Sequence, residues 1–340
     1  MDIELFDYHL PAELIAQNPL KERENAKMLV LDKNDGEITH DYFYNIINYL
    51  KKDDVLVIND SKVMKCRIFG EKEKTSARIE CFILKKLSDN KAFVLLRPSK
   101  RLFNGTKVII DKADNAFFEV EKKIEEGRAF VCFNKNISEV INMYGTMPLP
   151  PYIKNRSFDE NYYQTVYAKN EGSAAAPTAG LHFTRNILDK LKKKGIHVAK
   201  VRLNIGLDTF RPINEKNIAK HKIHSEEFSI TTANIKKIEL AKKRNGRVIA
   251  VGTTTVRVLE TLMCRFGKLK EYSGKTDLFI YPGYDFKIVD LILTNFHLPK
   301  STLIVMISAF AGRENLLNAY SEAIKERYRF YSLGDCMLIK

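Results

Sequence analysis

The chain has 340 residues, 45% of them hydrophobic and 29% charged, which excludes a disordered or fibrous protein and allows two or three domains with cores of their own. Lys and Arg outnumber Asp and Glu by 56 to 42, a formal net charge of +14 that favours a polyanionic partner such as nucleic acid. Cys66, Cys81, Cys132, Cys264 and Cys336 are scattered without a C-x-x-C pair, which argues against a disulfide framework or cysteine zinc site and for a reducing cytoplasm.

The opening MDIELFDYHLP is acidic and lacks the apolar core of a signal peptide. Two short apolar runs follow, MLVLD at 28–32 and VLVIND at 55–60, and are expected to form a strand pair. From Ile68 to Phe133 the texture changes to short alternating strands with polar turns between them. ARIECFILKKL, KAFVLLRP, TKVIID, AFFEVEKKI and GRAFVCF succeed one another at similar spacing, the pattern of a small antiparallel barrel or sandwich.

Beyond Pro151 strands and helices alternate. Thr184 is an N-cap for RNILDKLKKK, which places Ile187, Leu188 and Leu191 on one face and stops at Gly195. The strand HVAKVRLNI comes next. Thr231 or Thr232 caps NIKKIELAKKRN, Gly246 ends it, and RVIAVG is a buried strand. TTVRVLETLM, STLIVMISAF and NLLNAYSEAIKERY read as helices, with DLFIY and IVDLILTNF as strands among them. The apolar run 288–311 is no membrane span, because Asn295, His297, Pro299 and Lys300 interrupt it. These elements predict an α/β fold: a layered α/β domain from 1–64 and 151–340, with a mostly parallel or mixed sheet, and an inserted small antiparallel β-barrel from 65–150.

In such sheets ligands sit at the carboxyl ends of strands. Four exits carry polar groups: Asn59-Asp60-Ser61, Thr253-Thr254-Thr255, the LNIGLDTFRP run with Gly206, Asp208 and Arg211, and Asn295 with His297. The threonines begin a helix, where free backbone N–H groups can meet an anion. GSAAAPTAGLHFT, from Gly172 to Thr184, gives up bulky side chains just before the capped helix, so its backbone can approach a ligand, with His182 at the helix start as a proton-exchanging group. No phosphate P-loop, nucleophile elbow or dinucleotide glycine motif is present. HKIHSEE spaces His221 and His224 three apart, whereas helical zinc motifs need four, and no metal is expected.

Several long strings go further. DYHLPAELIAQNPL, INDSKV, RPSKRL, GTMPLPPYI, YYQTVYAKNEGSAAAPTAGLHFT, HKIHSEEF, VGTTTVRVLE, TDLFIYPGYDFKIVD, LTNFHLP, ISAFAG and YRFYSLGDCMLI together resemble, nearly end to end, the S-adenosylmethionine:tRNA ribosyltransferase-isomerases of queuosine biosynthesis. The resemblance implies transfer and isomerisation of the ribosyl group of S-adenosylmethionine onto 7-aminomethyl-7-deazaguanine at the tRNA wobble position. Epoxyqueuosine forms, and adenine and methionine are released. S-adenosylmethionine would then be a consumed substrate with no separate cofactor, and the partner would be a tRNA anticodon arm met by a cytoplasmic monomer away from membranes.

A sulfonium acidifies the ribose C5′ hydrogens, so a positioned base can start the loss of adenine. The resemblance places Pro177, Thr178, Ala179, Gly180, Thr253, Thr254, Thr255, Arg257 and Asn295 against the nucleoside. His182, Asp60, His224, Glu226 and His297 are the candidates for proton transfer or orientation, with no single base selected. Arg97, Lys100, Arg101 and Arg156 are expected to hold tRNA phosphates, and Tyr152 to stack on an exposed base. Asn204 and Asp208 stand where the family commonly has histidine and glycine, and Lys27 where arginine is common. The competing readings are an S-adenosylmethionine-dependent tRNA methyltransferase, whose usual glycine motif is missing, and a non-catalytic RNA-binding protein, which would not need polar strand exits.

Overall fold

Apolar residues alternate between two faces along the central strands, and this arranges the larger part of the molecule. Val55 and Val57 join one core, Leu56 and Ile58 the other; Val248 and Ala250 likewise part from Ile249 and Val251. A strand buried on both faces needs a layer on each side. One layer is built on helices Thr232–Lys243, Thr253–Phe266, Thr302–Ala311 and Arg313–Lys325, and the other on Arg185–Lys193 with the short helix Ile46–Tyr49.

The computed structural model describes residues 1–206, 213, 215–223 and 225–340. The chain divides into two compact units, Met1–Lys62 with Pro150–Lys340, and Val63–Leu149. Among the described residues the larger unit holds a nine-stranded mixed sheet. Its order is Tyr272–Thr276, Glu226–Ile230, His197–Leu203, Val55–Asn59, Val248–Val251, Leu291–Asn295, Cys336–Ile339, Lys27–Leu31 and Ile38–Tyr42. The four strands from His197–Leu203 to Leu291–Asn295 are mutually parallel, so their carboxyl ends share one edge. The outer pairings are antiparallel, except that Lys27–Leu31 runs parallel to Cys336–Ile339.

Two expectations are corrected. MLVLD and VLVIND do not pair: three strands lie between them, because the carboxyl-terminal strand Cys336–Ile339 takes the place beside Lys27–Leu31. DLFIY is not a strand; the pairing edge is the preceding segment Tyr272–Thr276, leaving Leu278, Phe279 and Ile280 to pack on the core. The Thr184 cap forms as expected, its Oγ1 accepting from the Ile187 N–H at 3.2 Å.

The smaller unit is a closed antiparallel six-stranded barrel, ordered Arg128–Phe133, Lys91–Arg97, Arg78–Lys86, Arg67–Lys72, Lys107–Asp111 and Ala116–Lys123. Closure removes free edges, and alternate residues such as Val94, Leu96, Val108, Phe118, Val120 and Val131 fill its interior.

Candidate active site

Two of the parallel strands, Val248–Val251 and Leu291–Asn295, deliver their polar exits to one cleft of the larger unit. Its base is Gly252 to Thr254 and Thr294 to Leu298. The small-residue loop supplies one side through Ala176 to Ala179, and the rings of Tyr152 and Tyr331 border it as well. Gly252 turns from strand to helix at φ +83°, a conformation that favours glycine, and so opens the amino end of Thr253–Phe266 toward the cleft.

The loop owes its course to local hydrogen bonds. Ser173 Oγ donates to the Ala175 carbonyl at 2.6 Å and accepts from the Ile205 N–H at 3.0 Å, while the Ala174 N–H donates to the Ile205 carbonyl at 2.9 Å. The segment is thereby stitched to the end of the strand His197–Leu203. It then makes a tight turn, Thr178–Gly180, before His182. Gly180 faces away from open space: a Cβ there would lie 1.9 Å from Tyr167 Oη. Burial, with the Asp60 carboxylate next in effect, pushes the Tyr167 phenol well above its ordinary range.

His182 is 5% exposed, with its ring 5.3 Å from that of Phe43. Its Nε2 lies 3.3 Å from Asn295 Nδ2, which also donates to the Asp335 carbonyl at 3.2 Å. Bonding to that carbonyl orients the Asn295 amide with its NH2 toward the histidine, so Nε2 is an acceptor and the ring proton belongs on Nδ1. Burial foremost, then the Arg329 charge, pushes the imidazole down to about 4, so it is neutral at pH 7. Asn295 lines the cleft, is 3% exposed, and its Oδ1 is buried without a hydrogen-bond partner.

His297 also lines the cleft. Its Nε2 is 2.8 Å from Thr294 Oγ1, its N–H donates to Tyr320 Oη at 2.9 Å, and its carbonyl accepts from Tyr8 Oη at 2.5 Å. Burial pushes its imidazole down to about 3.

Two rings that stay neutral when folded, yet protonate once unfolded below about pH 6.5, bind fewer protons in the native state. Their stabilising effect is therefore complete above that pH and declines as pH falls toward 4 and 3 respectively. Denaturant unfolding at pH 7 and pH 5 should show His297 costing on the order of 2 kcal/mol over that interval. The drop should be smaller by that amount in His297→Asn, and an equal drop in both proteins would refute the assignment.

Other expected residues lie elsewhere. Asp60 is buried behind the loop, accepting from Asn170 Nδ2 at 3.1 Å, and does not line the cleft. Thr255 turns back from the cleft, its hydroxyl donating to the Val251 carbonyl at the end of the preceding strand at 2.8 Å. Arg257 and Glu226, both buried, are ion-paired to each other. Arg257 Nε donates to the Leu278 carbonyl at 3.2 Å and Glu226 Oε1 accepts from the Gly206 N–H at 2.9 Å, so the pair secures the backbone beside the cleft rather than lining it. Tyr152, expected to stack on an exposed base, lines the cleft with its hydroxyl 2.6 Å from Ser332 Oγ. Gly180 faces Tyr167 and does not line the cleft. His224, Asp208 and Arg211 lie outside the described residues. Arg97, Lys100 and Arg101 are exposed on the barrel, as is Arg156 on the larger unit.

Reading strand exits missed Tyr331, Ser332 and Asp335, which follow the last helix and return to the site before the final strand. The one signal for them was the string YRFYSLGDCMLI. Arg23 was missed too; its Nη1 donates to the Gln164 carbonyl at 2.6 Å and it lines a neighbouring cleft with His182. Among the described residues no group of three or more His, Cys, Asp or Glu side chains is gathered for a metal ion, and no helix is long and apolar enough to cross a membrane.

A mixed α/β sheet with a cleft at its parallel strand exits, joined in one chain to a closed barrel, marks the chain as a two-unit α/β enzyme. The family model described as "Queuosine biosynthesis protein" matches residues 3–339, and the chain belongs to that family. It is 48% identical over 340 residues to the S-adenosylmethionine:tRNA ribosyltransferase-isomerase of Staphylococcus haemolyticus (strain JCSC1435), with both chains covered in full. It is also similar to the crystal structure of S-adenosylmethionine tRNA ribosyltransferase from Thermotoga maritima, at 36% identity, with a TM-score of 0.58 over 99% of this chain and 100% of that one.

Proposed function

We propose that this chain is an S-adenosylmethionine:tRNA ribosyltransferase-isomerase. It moves the ribosyl group of S-adenosylmethionine onto the amine of 7-aminomethyl-7-deazaguanine at the tRNA wobble position and isomerises it to give epoxyqueuosine. The bonds from the ribose to adenine and to the sulfonium sulfur both break, releasing adenine and methionine. S-adenosylmethionine is a substrate and no further cofactor takes part. The protein works in the cytoplasm as a monomer.

The observation that carries this reading is the Asn295–His182 pair at the edge of the strand-exit cleft, in a chain of this family. Neutral His182 adds no charge repulsion to a bound sulfonium. Its Nε2 is engaged only by a long bond from Asn295, which a ligand can replace, whereas His297 Nε2 has the Thr294 hydroxyl at 2.8 Å. His182 is therefore the acceptor for the acidified C5′ proton, and His297 a positioning group. Asn295 Oδ1, Thr253, Thr254 and the backbone of Pro177 to Ala179 hold the nucleoside.

The test is incubation with S-adenosylmethionine and tRNA carrying the 7-aminomethyl-7-deazaguanine base. Adenine and methionine in equal amounts support the reading; S-adenosylhomocysteine, or RNA binding without turnover, refutes it.

The exposed Arg97, Lys100 and Arg101, next to Phe103 at 65% exposure, form the barrel's contribution to tRNA binding. Neutralising Lys100 and Arg101 together should weaken tRNA binding and reduce the slope of log K against log salt by about 1.4–1.8, two phosphate contacts' worth. An unchanged slope would remove this face from the interface.

A further inference from the structure

His182 borders a second cleft in the larger unit. Pro19, Leu20 and Leu333 give it apolar faces, and the Tyr162 ring adds an aromatic one. The Arg23 guanidinium lies 5.3 Å from the centre of that ring, held by the Gln164 carbonyl at 2.6 Å and the Asn161 carbonyl at 2.9 Å. Ser332 lines both clefts, and His182 of the second contacts Asn295 of the first. The two clefts thus adjoin at His182, Asn295 and Ser332.

Joining a ribosyl group to the amine of a nucleobase requires both substrates to reach one point. The first cleft lies at the strand exits, between Thr253-Thr254 and the small-residue loop. The second has the composition of a base-binding pocket: an aromatic ring, a guanidinium plane and apolar side chains, with a cation that also suits a nearby phosphate. Resting on the transferase reading above, we propose that the second cleft receives the flipped-out wobble base of the tRNA, seated against Tyr162 and Arg23. The first cleft is kept for the sulfonium nucleoside, and the aminomethyl arm of the base points toward His182.

The test uses the full chain, an anticodon stem-loop RNA carrying 7-aminomethyl-7-deazaguanine, and S-adenosylmethionine, with the Kd of each measured separately. Leu20→Trp fills the cleft and Tyr162→Ala removes its aromatic face; both positions are partly exposed, and melting curves check that the variants fold. Leu20→Trp should raise the Kd for the RNA at least about ten-fold and Tyr162→Ala about five-fold, with the Kd for S-adenosylmethionine changing by less than about two-fold. Unchanged RNA binding in folded Leu20→Trp would overturn the proposal. So would weakening confined to S-adenosylmethionine, which would put its adenine in this cleft, or equal weakening of both substrates. Failure of the wild-type protein to release adenine would instead refute the transferase reading. Adenine release with RNA binding indifferent to both substitutions would refute only the pocket.

Discussion

His182→Ala is expected to lower single-turnover adenine release by at least about 100-fold, the lower bound for losing a positioned proton-transfer group. Binding of S-adenosylmethionine should change far less. The expectation rests on three observations: the ring is buried, its Nε2 is an acceptor because the Asp335 carbonyl orients Asn295, and its bond to Asn295 is long enough to yield. Truncation also leaves a hole beside Phe43, so the fold must be checked by melting and rate and affinity read separately. His182→Gln, which fills the space but is a far weaker base, should remain as slow as Ala. A purely structural role would let Gln restore the rate. Normal turnover in His182→Ala would eliminate the ring as the proton acceptor.

Gly180→Ala is expected to destabilise the protein by about 1–3 kcal/mol and to cut turnover, because the added methyl must displace either Tyr167 or the loop. The cause is space rather than backbone conformation: the new Cβ would sit 1.9 Å from Tyr167 Oη, and Thr165 Cγ2 is 3.0 Å away. Tyr167 Oη is buried without a hydrogen-bond partner, so Tyr167→Phe alone should cost little and relieve the clash. The double variant should regain most of the lost melting temperature and rate. If Gly180→Ala melts and turns over like the wild type, the loop is not held by this contact. If Tyr167→Phe gives no rescue, the hydroxyl is not what the methyl meets.

These two predictions separate what could be read along the chain from what could not. Local patterns carried the helices well. Thr184 followed by Ile187, Leu188 and Leu191 makes a capped, one-sided helix because capping and a 3.6-residue repeat act over a few residues. Alternation between Ile68 and Phe133 made the barrel legible for the same reason. Strand partners were not legible: MLVLD lies next to a strand about 300 residues later in the chain, and nothing within either segment encodes that choice.

The site divides in the same way. Thr253, Thr254, Asn295 and His297 were found because strand exits are marked locally by polar residues after an apolar run. Chemical type alone could not tell that Glu226 and Arg257 pair with each other, or that Asp60 bonds Asn170, away from the lining of the cleft. Arg23, Tyr331, Ser332 and Asp335 reach the site from the two ends of the chain, a meeting that only the nine-stranded sheet arranges.

The sequence by itself determined the small-residue run from Gly172 to Gly180 and the histidine after it, because missing side chains are visible without coordinates. Only the tertiary structure decided what that absence is for. Ala176 to Ala179 leave room on the cleft side, Gly180 admits the Tyr167 hydroxyl on the other, and His182 becomes a neutral acceptor through burial and an Asn295 amide oriented from the far end of the chain.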